Sequence, residues 1–333
     1  MTAKLRPSPI TASVDYEKDG KQHGFLNLPW SRDDSAWGAI PLPITVVKRG
    51  KGPTALLVAG NHGDEYEGQV ALHKLAHALQ PEDIAGRVII LPALNFPAVQ
   101  AGTRTSPIDK GNMNRVFPGR PDGTVTEKIA DYVTRHLLPL ADLVADIHSG
   151  GKTLEFLPFA ACHLLPDKAL ERRCFAAMEA FGAPYAMTML ELDAVGMLDT
   201  TAEEMGKVFV STELAGGGTL SRRTVAIADR GLRNLLIHLG ILPGKVEAAG
   251  SRRLDMPDGD CFVVGRDRGL IEPCADLGES VGKGQVIARI YDLECMDRAP
   301  AAYRARRSGL LAGRHFPGLV KPGDCLAVVA VEV

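Results

Sequence analysis

Three short apolar runs constrain this chain more than any other feature: TALLVAG at 54–60, GRVIILPAL at 86–94 and DLVADIHSG at 142–150. None alternates apolar with polar residues strictly, so each, taken as a strand, must be buried on both faces. Helical stretches separate them, near Glu67 to Leu79 and from about Thr126 to Leu138. Strands alternating with helices predict an α/β fold, with a mostly parallel mixed sheet covered by helices on both faces. The rhythm continues through helical DKALERRCFAAMEAFG, strand KVFVSTEL and helical TVAIADRGLRNLLIHLGI to about Gly244.

The flanks differ. Residues 1–45 hold short candidate strands, FLNLPW and WGAIPLPITVV, whose prolines confine them to sheet edges. Residues 251–333 carry short β-prone runs separated by glycine turns, which predicts a small β-barrel or sandwich. The expected division is therefore a β-rich segment at 1–45, a catalytic α/β domain at 46–250 and a β-domain at 251–333.

With 333 residues, 45% of them hydrophobic, the chain can bury a large core. Its 38 basic and 40 acidic residues are well mixed and leave a net charge of -2, which argues for neither nucleic acid nor a membrane as partner. No apolar run approaches the ~20 residues of a membrane span, and the N-terminus lacks a signal-peptide core. A cytoplasmic location is expected. The six cysteines are dispersed with no CxxC pair, so neither a disulfide framework nor a thiolate zinc site is indicated.

In an open parallel sheet, ligands bind beyond the carboxyl ends of the strands. His62 with Glu65, then His148, then Glu213 follow three of the expected strands. Imidazole and carboxylate are ligands of a catalytic zinc, which takes three protein groups and keeps a fourth position open. His62, Glu65 and His148 would make such a set, and Gly60 and Gly63 would permit the sharp turn. A metal there would lower the pKa of a water to about 7, and Glu213 could take its proton and pass it to a leaving amine. The alternative is structural: Glu65 complements a helix dipole and His148 is a hydrogen-bonded strand terminus. A second polar island, GTRTSPIDKGNMNRVFPG at 102–119, carries Arg104, Asn112, Asn114 and Arg115. Arginine forks suit a carboxylate or a developing oxyanion; the alternative is a solvated loop whose Asn and Gly residues make turns. His73 and His77 have metal-pair spacing, but HKLAH lacks the glutamate of HExxH, which predicts a solvated helix face.

The motifs GNHGDEYEG, NMNRVFPG, DIHSGG and STELAGGG, in that order, resemble the zinc-dependent succinylglutamate desuccinylase and aspartoacylase family, relatives of the zinc carboxypeptidases, over about residues 46–245. GKQHGFL, SRDDSAWG, GTRTSPID, GRPDGTVTEKIADY, GGKTLEFLPFAA and ELDAVGM resemble one branch of it, which deacetylates an N-acetylated diamino acid in ectoine breakdown. The resemblance implies a zinc carboxypeptidase-like fold and one Zn2+ per chain on His62, Glu65 and His148. It also implies Glu213 as general base and then acid, and Arg104 as the group polarising the scissile carbonyl. Asn114 and Arg115 would grip the α-carboxylate of a small N-acyl amino acid, N-α-acetyl-L-2,4-diaminobutyrate. Another acyl amino acid, such as succinylglutamate or acetylaspartate, is the alternative substrate, and a non-catalytic binding protein is the rival of another class. In the acidic stretch LELDAVGMLDTTAEE, Glu191 or Asp193 are candidates for holding the diamino acid's ammonium group, the alternative being an ordinary exposed loop. One departure stands out: the family often has Asp-Leu-Asn-Arg where this chain has Asn112-Met113-Asn114-Arg115, which puts an orienting role for Asn112 in doubt. GESVGKGQVIARIYDLECMD resembles biotin- and lipoate-carrying β-barrels, but the turn near DLECMD has no lysine to modify. That implies a structural or oligomer-forming barrel and leaves a homo-oligomer open.

Overall fold

The computed structural model describes residues 6–247 and 250–333. The chain starts as an antiparallel meander of β1 (Thr11–Ala12), β2 (Gly20–Pro29) and β3 (Ala39–Arg49). β3 pairs with β2 from Ala39 to Lys48, whereas only Thr45–Arg49 pair with the strand on its other side. Pro41 and Pro43 thus lie in an overhang with one free edge, where a residue without an N–H is tolerated.

The α/β portion follows. In chain order it comprises β4 (Thr54–Ala59), α1 (Glu67–Ala78), β5 (Gly86–Leu91), α2 (Phe96–Ala101), α3 (Val125–Tyr132), β6 (Leu143–His148), β7 (Leu154–Phe156), β8 (Phe159–Cys162), α4 (Lys168–Phe181), β9 (Tyr185–Thr188), α5 (Leu198–Glu204), β10 (Val208–Glu213) and α6 (Arg222–His238). At its centre β5, β4, β6 and β10 lie side by side and parallel. β3 and β8 flank them in antiparallel pairing.

Every residue of β4, β5 and β6 is buried. Alternate side chains feed two cores. Leu57, Ala59, Ile90 and Ile147 pack with Leu72 of α1 and with Leu232 and Leu235 of α6. Leu56, Val58, Ile89 and Val144 pack with Ile129 and Leu137 on the opposite face. Two-sided burial explains the unbroken hydrophobic runs, each large aliphatic side chain contributing about 1.5–3 kcal/mol. Helix starts are set locally: Thr124 and Glu127 cap α3 reciprocally, and Asp167 accepts from Ala169 and Leu170 to open α4.

The remaining strands are β11 (Arg252–Asp255), β12 (Phe262–Val264), β13 (Gly269–Pro273), β14 (Ser280–Val281), β15 (Val286–Tyr291), β16 (Ala301–Arg304), β17 (Gly309–His315), β18 (Leu319–Val320) and β19 (Cys325–Glu332). β11 pairs in parallel with β9 and antiparallel with β19, so the large sheet runs on into this region. A second sheet has the order β16, β15, β13, β18. The fold is mixed α/β, with parallel pairing at the heart of the large sheet and antiparallel pairing around it. Among the described residues no helix is long and apolar enough to cross a membrane.

Candidate metal centre and catalytic cavity

β4 ends at Ala59, and the chain turns at Gly60 with φ of 68°, a left-handed conformation that side chains disfavour. Gly63 is constrained by contact instead. A Cβ there would lie 2.0 Å from the carbonyl oxygen of Ala98, so only glycine lets the loop pass so close to α2. This turn carries His62 and Glu65 inward to the ends of β4 and β6, where both are buried.

His62 Nδ1 lies 2.7 Å from Glu65 Oε1, and His148 Nδ1 lies 2.8 Å from Glu65 Oε2. Two imidazoles thus converge on one carboxylate, with donor atoms within 4.8 Å of one another. Their other nitrogens face outward: His62 Nε2 is 3.1 Å from Asn112 Oδ1, and His148 Nε2 is 2.9 Å from Asp146 Oδ2. An outward N–H held by an oxygen fixes the tautomer and leaves the Nδ1 lone pair for an ion. The donor set of two nitrogens and a carboxylate fits a divalent metal such as zinc.

Asn112 therefore does sit against a histidine of the set, although it brings no full charge. Asp146 escaped the sequence reasoning. The signal was present, because residues two apart on a strand share a face and Asp146 precedes His148 by two. Asn61 Nδ2 donates to the same Asp146 oxygen at 2.8 Å. Asp64 accepts from the Lys152 backbone N–H at 2.9 Å, tying the His62 turn to the segment after His148.

The charges are strongly interdependent. Burial opposes ionisation of Glu65, but His62 and His148 outweigh it and hold this carboxyl below the ordinary range. Burial lowers the pKa of His62 despite Glu65. Burial also resists protonation of His148, yet the facing Asp146 and Glu65 override it and raise its pKa. Glu213 ends β10 in direct register with His148. Burial first, then the Glu65 charge, push its pKa well up. Its Oε2 is buried with no hydrogen-bond partner among the described residues. A carboxyl with one free oxygen beside the donor set is placed for proton transfer.

Arg104 Nη1 approaches the set from the open side, 3.3 Å from His62 Nδ1 and 3.5 Å from Glu65 Oε1. Asn114 is buried, and its side-chain oxygen accepts from Leu198 N–H at 2.9 Å, which leaves the amide nitrogen to meet a ligand. Arg115 is exposed and donates from Nη1 to the Asn114 carbonyl. His62, Arg104, Asn114, Arg115, His148 and Glu213 all line one cavity of about 250 Å³, with Glu65 behind them. Phe262, Cys325 and Val328, from the C-terminal strands, form part of its wall.

Of the two candidates for an ammonium partner, Glu191 lines this cavity, whereas Asp193 is exposed and accepts from Val195 N–H. Asp199, which the sequence reading passed over, lines the cavity instead. His73 and His77 are exposed on α1.

A sequence profile of the succinylglutamate desuccinylase/aspartoacylase catalytic domain matches residues 51–239, and the chain belongs to that family. Over 330 residues it is 56% identical to the N-alpha-acetyl-L-2,4-diaminobutyric acid deacetylase of Halomonas elongata, covering 98% of this chain and 96% of that protein. The product-bound structure of the ectoine utilization protein EutE (DoeB) from Ruegeria pomeroyi is 60% identical, with a TM-score of 0.96 over 98% of this chain and 99% of that one. A structure described as a succinylglutamate desuccinylase, from Silicibacter sp. TM1040, is 57% identical, with a TM-score of 0.96 over 99% of this chain and 100% of that one.

Proposed function

We propose that this chain is a zinc-dependent deacylase that hydrolyses N-α-acetyl-L-2,4-diaminobutyrate to acetate and L-2,4-diaminobutyrate, acting in ectoine degradation. The observation that carries this reading is the near full-length 56% identity to a deacetylase of that substrate, in a chain whose donor set and Glu213 meet in one cavity. His62, Glu65 and His148 would hold one Zn2+, with Asn112 and Asp146 fixing the two rings. Bound there, zinc supplies Lewis acidity, which lowers the pKa of a water to about 7 and polarises a carbonyl.

The chain's own groups do the rest. Arg115 and the Asn114 amide nitrogen hold the α-carboxylate and so place the amide beside Glu213. Arg104 donates to the acetyl oxygen as negative charge develops on it. Glu213 takes a proton from the attacking water, a C–O bond forms, and the same proton goes to the α-nitrogen as the C–N bond breaks.

We further propose that residues 1–45 form a β-rich edge, 46–250 the catalytic domain, and 251–333 a small β-barrel domain resembling biotinyl and lipoyl domains without the lysine. Cavity-lining Phe262, Cys325 and Val328 support a role for this last region in narrowing the entrance. Six free thiols support a reducing, cytoplasmic setting.

The test is acetate and succinate release from N-α-acetyl-L-2,4-diaminobutyrate, N-acetyl-L-aspartate and N-succinyl-L-glutamate, with metal content measured on the same preparation. Acetate from the diamino substrate, with one zinc per chain, is expected. Faster succinate release, or no release from a zinc-loaded protein, refutes the substrate.

A further inference from the structure

One part of the cavity wall is acidic. Glu191 and Asp199 both line it, on the two sides of the turn that joins β9 to α5. Behind them His163 lies with Nδ1 3.1 Å from Glu203 Oε1 and Nε2 3.9 Å from Glu191 Oε1. Burial opposes charge on His163, but Glu191 and Glu203 override it and lift its pKa to about 10. One imidazolium thus faces three carboxylates, and the group is left with excess negative charge.

Asp199 is only 5% exposed. Its Oδ1 accepts from the N–H and hydroxyl of Thr200, while Oδ2 has no hydrogen bond among the described residues. A carboxylate on a residue this buried is costly unless its remaining oxygen is also paired. Among the described residues the Glu191 carboxylate has only the 3.9 Å contact to His163.

The position of this acidic part is set by the residues expected to grip the substrate. Asn114 Oδ1 accepts from Leu198 N–H, one residue before Asp199, so the amide that would meet an α-carboxylate also holds the turn carrying Asp199. Phe117 N–H donates to Gly196 O at 3.0 Å, and a Cβ on Gly196 would lie 2.5 Å from the Arg115 carbonyl carbon. The two loops are therefore in contact. A ligand with a carboxylate near Arg115 and an ammonium a few bonds away could satisfy both.

We propose that Glu191 and Asp199 form a subsite for the side-chain ammonium of the substrate, and that this subsite selects a cationic acyl amino acid over a neutral or anionic one. The inference rests on the deacylase reading above. An ammonium offers three N–H donors in a compact charge, enough for both carboxylates. An aspartate or glutamate side chain, or a succinyl carboxylate, would meet like charge there.

The experiment compares N-α-acetyl-L-2,4-diaminobutyrate with N-acetyl-L-2-aminobutyrate, which lacks only the amine, on wild type, Glu191→Gln and Asp199→Asn. The wild-type preference for the diamino substrate, as a ratio of kcat/KM, should fall by about 10- to 100-fold in each variant, chiefly through KM. Calorimetric binding of L-2,4-diaminobutyrate against L-2-aminobutyrate reads the same preference without turnover. An inactive wild type that still prefers the diamine in calorimetry would sink the deacylase reading and leave the subsite standing. A preference that survives both substitutions overturns the subsite, as does an equal loss on both substrates. A second equivalent of bound zinc, lost in both variants, would also overturn it by making the acidic group a metal site.

Discussion

Replacing Asp199 with asparagine should stabilise the fold even as it weakens substrate selection. Burial, opposed by the attraction of His163 and aided by repulsion from Glu191, raises the Asp199 pKa from 3.8 to about 6. Between those values the folded protein keeps a proton that the unfolded chain has released. Stability from this group is therefore greatest at low pH and falls as pH rises through that window. At 1.36 kcal/mol per pKa unit, the cost above pH 7 reaches about 3 kcal/mol, and at pH 5 it is roughly half that. Asparagine removes the charge and keeps the acceptor for Thr200 N–H. It also withdraws one carboxylate from His163, so the net gain at pH 8 should be about 1–3 kcal/mol. Urea unfolding followed by circular dichroism at pH 8 and pH 5, with zinc held constant, measures it. A loss of stability at pH 8, or an equal gain at both pH values, would refute the reasoning. A site that sacrifices stability for selectivity is a common trade-off.

Three further substitutions test separate parts of the structure. Glu213→Gln should lower kcat by about 10²- to 10⁴-fold with zinc content unchanged; activity within fivefold of wild type would remove Glu213 from proton transfer. Asp146→Asn should weaken zinc binding by about 10- to 100-fold in a chelator competition, because His148 loses the carboxylate that orients it; an unaltered affinity would mean that the ring is held by other contacts. Gly231→Ala on α6 would put a Cβ 2.3 Å from the Phe181 ring, which is fully buried. It should cost about 1–3 kcal/mol in urea unfolding, and an unchanged midpoint would show that α4 and α6 can separate freely.

Much of the site could be seen before folding because its chemistry is concentrated in short motifs. His62 and Glu65 are three apart in one turn, and His148 and Glu213 each close an apolar run. The local pattern announces a strand, the strand has an end, and a polar residue at that end has few structural reasons to be there. The prolines of β3 and the helix spans of α1 and α6 were legible for similar reasons of short range.

What stayed hidden depended on contacts between distant segments. Asp146 looked like one more polar residue until β6 was placed beside the Asn61 turn. Asp193 and Asp199 were indistinguishable on an acidic stretch, and only the packing of that loop against residues 112–119 turned one into the cavity and left the other in water. The sheet likewise continues from β9 through β11 into the C-terminal strands, a pairing between residues 67 positions apart for Arg252 and Tyr185 that no local periodicity encodes. The sequence by itself determined the donor types, their order and the strands that end beside them, because propensity and burial pattern act over a few residues. Which imidazole nitrogen faces Glu65, which acid faces the cavity and how the sheet extends were decided by tertiary structure alone, since hydrogen bonds and desolvation depend on neighbours that only folding brings together.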